Sequence, residues 1–241
     1  MKPEIIVVTA AYGQQNVAEL GGQRALLPII ADAGADGVEI RRELLTESEL
    51  ESLPQLAQAI AQHQLKAFYS VPDALFAEDG AVNPQLDRYL LEAKQLHAQR
   101  LKLSLGPWQS GAAISLDTHG IRLVVENDQT DYGKLAIIAA FFAEQQAAFG
   151  MTFDIGNWLW TGEDAAAAAH RLADYVSYIH VKAAVPHGNS WRAIALDDAD
   201  NSWRALLKLL PNSVPRGIEF PLQGDDLTAV TRHYVDLLRE E

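Results

Sequence analysis

The sequence predicts an α/β chain closed into a single (β/α)8 barrel, and three observations carry that prediction. Short runs rich in β-branched and aromatic residues recur eight times, stretches of helical periodicity lie between them, and the alternation fills 241 residues. Strands separated by helix-length crossovers pair in parallel, and eight such units need roughly 250 residues to close. A doubly wound sheet is the main rival. It usually carries a G-x-G-x-x-G loop after a strand, and neither "LGGQRALLP" nor "GADGVEI" supplies one.

The elements follow in order. "IIVVT" (5–9) and "GVEI" (37–40) read as the first two strands, because both are short, apolar and bounded by polar or glycine residues. "SELESLPQLAQAIAQHQ" (48–64) has helical spacing, then "LKAFYS" (65–70) forms strand three and "NPQLDRYLLEAKQLHAQ" (83–99) the next helix. "RLKLSL" (100–105) and "RLVVE" (122–126) are strands four and five, with only about 16 residues between them. That gap shortens the fourth helix to one or two turns or replaces it with a loop. Helical periodicity over 132–150 leads to "MTFD" (151–154), and over 162–176 to "YIHV" (178–181). A long connection (183–203) then precedes "GIEF" (217–220). No linker, repeat or compositional break interrupts the chain, so one domain is expected over 1–241.

Composition narrows the function. A formal charge of −13 opposes a surface that must neutralise phosphates, so no nucleic-acid partner is expected. The absence of cysteine removes disulfides, thiolate nucleophiles and sulfur-ligated zinc, leaving only nitrogen and oxygen ligands for any metal. No apolar run approaches the ~18 residues of a membrane span and the N-terminus does not read as a signal sequence, so a cytoplasmic protein without a membrane partner is expected. A homo-oligomer is left open.

Strands of a parallel barrel should be apolar until their C-terminal ends, where the active face begins. These strands break at that place: Glu39, Ser70, Ser104, Glu126, Asp154, His180 and Glu219 all sit at or near a strand end. A carboxylate buried alone costs several kcal/mol, on the order of magnitude usual for such groups, and escapes by protonation, pairing or binding a cation. One divalent ion held by Glu126, Asp154, His180 and Glu219 would satisfy three acids at once, with ligand types suited to manganese, magnesium, cobalt or zinc. Each residue also has an ordinary reading. Glu126 opens the turn "ENDQTDYG", Asp154 can cap the following helix, His180 can be a core histidine, and Glu219 can pair with Arg216 or Lys182. An internal ion pair is the simplest account of Glu39 with Arg41.

The pattern Glu, Asp, His, Glu at the ends of strands five to eight resembles the xylose isomerase-like TIM-barrel superfamily, of the sugar phosphate isomerase/epimerase type. "LVVENDQT", "MTFDIGNWLW", "YIHVKA", "GIEFPLQGDDL", "GADGVEIRREL" and "LKLSLG" are similar to its epimerases of bacterial 2-ketogluconate utilisation, along the whole chain. The resemblance implies that Glu126, Asp154, His180 and Glu219 are metal ligands and that Glu126 and Glu219 are the catalytic acid/base pair. It implies an epimerase or isomerase that removes a proton beside the carbonyl of a keto-sugar or sugar acid, through an enediolate stabilised by the metal. A metal-dependent dehydratase or lyase, and a non-catalytic sugar-binding barrel, are the alternatives; DNA repair is more distant. Many relatives carry a substrate-binding histidine where this chain has Asn157, and the Glu and Arg of ketose epimerases would fall near Tyr132 and Pro186.

For substrate binding, Asn157 is expected to reach a hydroxyl, Gly156 to permit a tight turn, and Trp158 or Trp160 to stack on a sugar face or pack beneath the loop. Lys102 and Lys182 suit a carboxylate or phosphate, with a structural pair to Glu126 or Glu219 as the alternative. His187, Trp191 and Arg192 make the long 183–203 connection a substrate cover.

Overall fold

The computed structural model describes residues 1–145 and 147–241. Eight parallel strands close into a barrel: β1 (Ile5–Val8), β2 (Gly37–Arg41), β3 (Lys66–Ala74), β4 (Arg100–Ser104), β5 (Arg122–Glu126), β6 (Gly150–Asp154), β7 (Val176–Val181) and β10 (Arg216–Ile218). Closure runs through β1, which pairs β2 on one side and β10 on the other. The remaining two strands, β8 (Ala183–His187) and β9 (Ser190–Ile194), form an antiparallel hairpin outside the barrel.

Alternation along each strand divides its side chains between two environments. Ile5, Val7, Val38, Ile40, Leu101, Leu103, Val125, Phe153 and Val181 belong to the main core, which the surrounding helices complete. Ile6, Phe68 and Tyr178 form a separate buried cluster within the barrel, with Phe68 and Tyr178 edge to face at 5.0 Å. Two residues further along β3 and β7 the inward positions turn polar, at Ser70 and His180, and Glu39 on β2, paired with Val8 of β1 and Phe68 of β3, reaches the His180 ring. The barrel thus has an apolar floor and an ionic upper layer.

The fourth connection, 105–121, contains no helix. Gly106, Pro107, Gly111 and Gly120 interrupt it, and Trp108 packs edge-on to Phe141 at 5.5 Å, so a loop covers the flank a helix would otherwise close. The helix expected over 132–150 is Leu135–Gln145, with residue 146 outside the described residues. Among the described residues no helix is long and apolar enough to cross a membrane.

Candidate metal centre

Glu126 ends β5 and Asp154 ends β6; His180 lies one residue before the end of β7, and Glu219 follows β10 directly. Parallel register places these positions side by side at one mouth, with Asp154 opposite His180. One ligand atom from each lies within 4.8 Å of all the others. Nδ1 of His180 is the hub: Glu126 Oε1 is 2.8 Å away, Glu219 Oε2 2.6 Å and Asp154 Oδ2 3.8 Å.

Each acid has a second attachment. Lys102 Nζ donates to Glu126 Oε2 at 2.5 Å, and Arg41 donates to Glu219 Oε1 at 3.1 Å. Asp154 Oδ1 accepts from the backbone N–H groups of Gly156 and Asn157, both at 2.9 Å, while its Oδ2 lies 3.1 Å from Lys182 Nζ. The capping and cluster readings of Asp154 therefore both hold, one per oxygen. Asn127, absent from the sequence-based expectations, locks β5 to β6: its side chain accepts from the Asp154 N–H at 2.8 Å and donates to the Asp154 carbonyl at 3.0 Å.

The ionisation pattern follows from burial opposed by neighbours. Burial pushes Glu126 up, but Lys102 and His180 outweigh it and bring its carboxyl down to about 2. Burial likewise opposes Glu219, yet Lys182, His180 and Arg41 hold it well below the ordinary carboxylate range. Asp154 goes the other way, raised because burial exceeds the pull of Lys182. Burial disfavours an imidazolium at His180, but Glu219, Glu39 and Glu126 together lift it well above its ordinary value.

The residues present fit a divalent ion. Three carboxylates and an imidazole make a hard oxygen–nitrogen donor set, and Asp154 Oδ2 and Glu219 Oε2 are buried with ion-pair neighbours, Lys182 and His180, but no well-aligned hydrogen bond. Ligand bonds of about 2.0–2.2 Å put neighbouring donors roughly 3 Å apart and opposite ones roughly 4.4 Å, so the 2.6 and 2.8 Å contacts at Nδ1 would widen and the longest separations contract by a few tenths of an ångström.

The other expected residues fall unevenly around this centre. Lys102 and Lys182 are within it, paired as the structural alternative anticipated; Lys182 also donates to Asn157 Oδ1 at 3.0 Å. Asn157 spends its polar atoms on protein: Nδ2 donates to the Asn127 carbonyl, and Oδ1 accepts from Gln129 as well as Lys182. The expectation that Trp158 faces a sugar gives way, because its ring is fully buried and packs on Phe153 at 5.4 Å. Trp160 is the tryptophan near the site, its ring 5.7 Å from Lys182 Nζ. His187 is exposed at the end of β8, at the turn of the hairpin. Gly156 has ordinary helical backbone angles, so a tight turn is not its reason; a Cβ there would lie 2.7 Å from Lys182 Cγ, and glycine lets that side chain pass.

A cavity of about 290 Å³ opens above Glu219 and Lys182, bounded by Ala10, Gly13, Pro221 and Gln223. Gln223, in the loop after β10, is a polar wall residue that the strand-end pattern did not mark.

A closed parallel barrel with a carboxylate–histidine cluster at the C-terminal ends of its strands defines a class of fold, and solved structures show which. No family model matches the chain, and no curated protein matches its sequence. The probable 3-DHS dehydratase AsbF involved in petrobactin synthesis, from Bacillus anthracis, aligns with a TM-score of 0.71 at 11% identity over 98% of each chain. A xylose isomerase domain protein from Alicyclobacillus acidocaldarius gives 0.67 at 16% identity, also over 98% of each. D-psicose 3-epimerase from Clostridium cellulolyticum H10, solved with D-tagatose, gives 0.65 at 11% identity over 100% of this chain and 99% of that one. The chain has the xylose isomerase-like TIM-barrel fold.

Proposed function

We propose that this protein is a divalent-metal-dependent epimerase or isomerase of a keto-sugar or sugar acid, with Glu126 and Glu219 as its acid/base pair. One observation carries the reading: two carboxylates, one ending β5 and one directly after β10, approach the same imidazole nitrogen, at 2.8 and 2.6 Å, at the mouth of the barrel. Glu126, Asp154, His180 and Glu219 would hold the ion. When bound, it would polarise the substrate carbonyl and lower the cost of negative charge on its oxygen.

The protein's own residues then divide the proton work. One carboxylate of the pair takes the proton from the carbon beside the carbonyl and becomes the acid, while the other, first protonated from solvent, delivers a proton and returns to the carboxylate. Delivery to the opposite face of that carbon gives an epimer; delivery to the neighbouring carbon gives an isomer. Such positioned transfer contributes about 10²- to 10⁴-fold. Lys102 and Arg41 each occupy one oxygen of their carboxylate, which favours the ionised form of both before substrate binds and leaves the other oxygen of each for the proton transfer. Lys182, at the floor of the cavity over Glu219, is the cation placed to meet a substrate carboxylate, and Trp160 the ring placed to meet an apolar sugar face. Asn157 holds Lys182 in place. The reading covers one domain over 1–241 acting on a small molecule.

The test is solvent proton exchange. Protein loaded with manganese, magnesium, cobalt or zinc is incubated in deuterated water with keto-sugars and keto acids, 2-ketogluconate included, and followed by NMR. Deuterium beside the carbonyl, reduced at least about 100-fold in Glu126→Gln and Glu219→Gln, is expected. Loss of water from the substrate indicates a dehydratase, and ligand binding without exchange indicates a sugar-binding barrel; either displaces this reading.

A further inference from the structure

His180 has two ring nitrogens, and the cluster accounts for only one. Nε2 points away from Glu126, Asp154 and Glu219 and meets Glu39 Oε2 at 2.7 Å. Both side chains are completely buried. The same oxygen accepts the Tyr178 hydroxyl at 2.7 Å, and Tyr178 packs edge-on against the imidazole at 4.9 Å. Glu39 is thus no simple partner of Arg41: that guanidinium is 3.8 Å away, and Glu39 Oε1 has no hydrogen bond. Burying a carboxylate this deeply has no return in stability that an apolar residue would not match. It does have a consequence for geometry.

We propose that Glu39 is the positioning residue of the cluster: by accepting the Nε2–H of His180 it turns Nδ1 toward Glu126, Asp154 and Glu219. The neutral imidazole, the form that ligates an ion, can rotate and can carry its single proton on either nitrogen, and only one of the four resulting arrangements offers a lone pair to the carboxylate side from Nδ1. A carboxylate fixed behind Nε2 selects that arrangement and makes Nδ1 more basic. Glu39 is itself held by its place on β2 and by Tyr178, whose route across the barrel is open because Gly217 has no side chain; a Cβ there would lie 2.5 Å from the Tyr178 hydroxyl oxygen. The metal consequence rests on the function proposed above, whereas the orientation of the ring does not.

The experiment compares wild type with Glu39→Gln, Glu39→Leu and Tyr178→Phe. Manganese affinity is measured by chelator competition, the ring nitrogens by ¹H–¹⁵N spectra of histidine-labelled protein with and without zinc, and folding by circular dichroism. Glu39→Leu is expected to weaken manganese binding about 10- to 100-fold. Glu39→Gln, which keeps an acceptor without the charge, should weaken it less, and Tyr178→Phe should stay within about twofold of wild type. The His180 Nε2–H signal should persist in Tyr178→Phe and be lost in Glu39→Leu. If Glu39→Leu does not fold, Glu39→Gln against Tyr178→Phe decides. Equal affinities in that pair, or a His180 Nε2–H signal that persists in a folded Glu39→Leu, overturn the proposal. If wild type takes up no ion, the metal reading fails, and the spectra of the metal-free proteins alone retain or overturn Glu39 as the residue that orients the ring.

Discussion

At the scale of the residue, the cluster is an ion network whose members set each other's charge, and acid should reveal it. Glu126 titrates at about 2 in the folded protein against an ordinary 4.5, and Glu219 is also depressed. A depressed carboxylate contributes stability that is present above its unfolded value and is lost as pH falls toward the folded one. The melting temperature should therefore fall as pH drops from about 4.5 toward 2, opposed in part by Asp154, whose burial raises it. Lys102→Met removes the cation that depresses Glu126, so its acid limb should begin at higher pH. At neutral pH the variant leaves buried Glu126 with His180 as its remaining partner and should lose up to about 3 kcal/mol in denaturant titration. An acid limb identical to wild type would mean that Lys102 does not hold Glu126 ionised.

At the scale of the element, the strands were readable because each is a short apolar run broken by one polar residue at the same end, and the observed ranges match within a few residues. The four candidate ligands were readable for the same reason: a carboxylate or histidine ending a buried strand is conspicuous. Their partners were not. Glu39 meets His180 across 141 positions of sequence, and Trp158 and Trp160 are told apart only by which side of a one-turn helix faces Phe153. The 183–203 connection was legible as long, while its hairpin was hidden because "AAVPHGNSWRAI" has no strong strand alternation. That hairpin stands between a cavity of about 550 Å³ bounded by Pro221 and Tyr234 and one of about 480 Å³ bounded by Leu159 and Trp203. Its residues are exposed or half-buried and none belongs to the buried core of the barrel. Replacing residues 184–193 with a short glycine turn should leave the barrel's melting temperature within a few degrees, since about 1 kcal/mol corresponds to roughly 2–4 °C in a chain of this size. The same change should raise KM for whichever substrate the exchange assay identifies. A collapse of the melting temperature would instead make the hairpin part of the barrel's support.

At the scale of the whole molecule, the barrel interior places Glu39, Glu126, Asp154 and Glu219 against Arg41, Lys102 and Lys182, with His180 as the adjustable member. The strongly acidic total of −13 therefore resides elsewhere, on the surface, and the interior is close to self-balanced. Such an interior has two ways to remain folded: as a proton-compensated network, or with an ion taking the place of the proton on Nδ1. The two differ in how stability responds to metal. An ion ligated from β5, β6, β7 and the segment after β10 ties half the barrel together, so its binding free energy should appear in global unfolding. At about 100 times its dissociation constant, a ligand of the native state adds about 2.7 kcal/mol, which at roughly 2–4 °C per kcal/mol is a rise of about 5–10 °C. Manganese titrated into chelator-treated protein should produce that shift in scanning calorimetry, and Asp154→Asn should reduce it. If manganese, magnesium, cobalt and zinc all leave the transition unmoved, the lysines and arginine have replaced the ion, and the cluster is a structural salt-bridge network at the heart of a barrel that performs no metal chemistry.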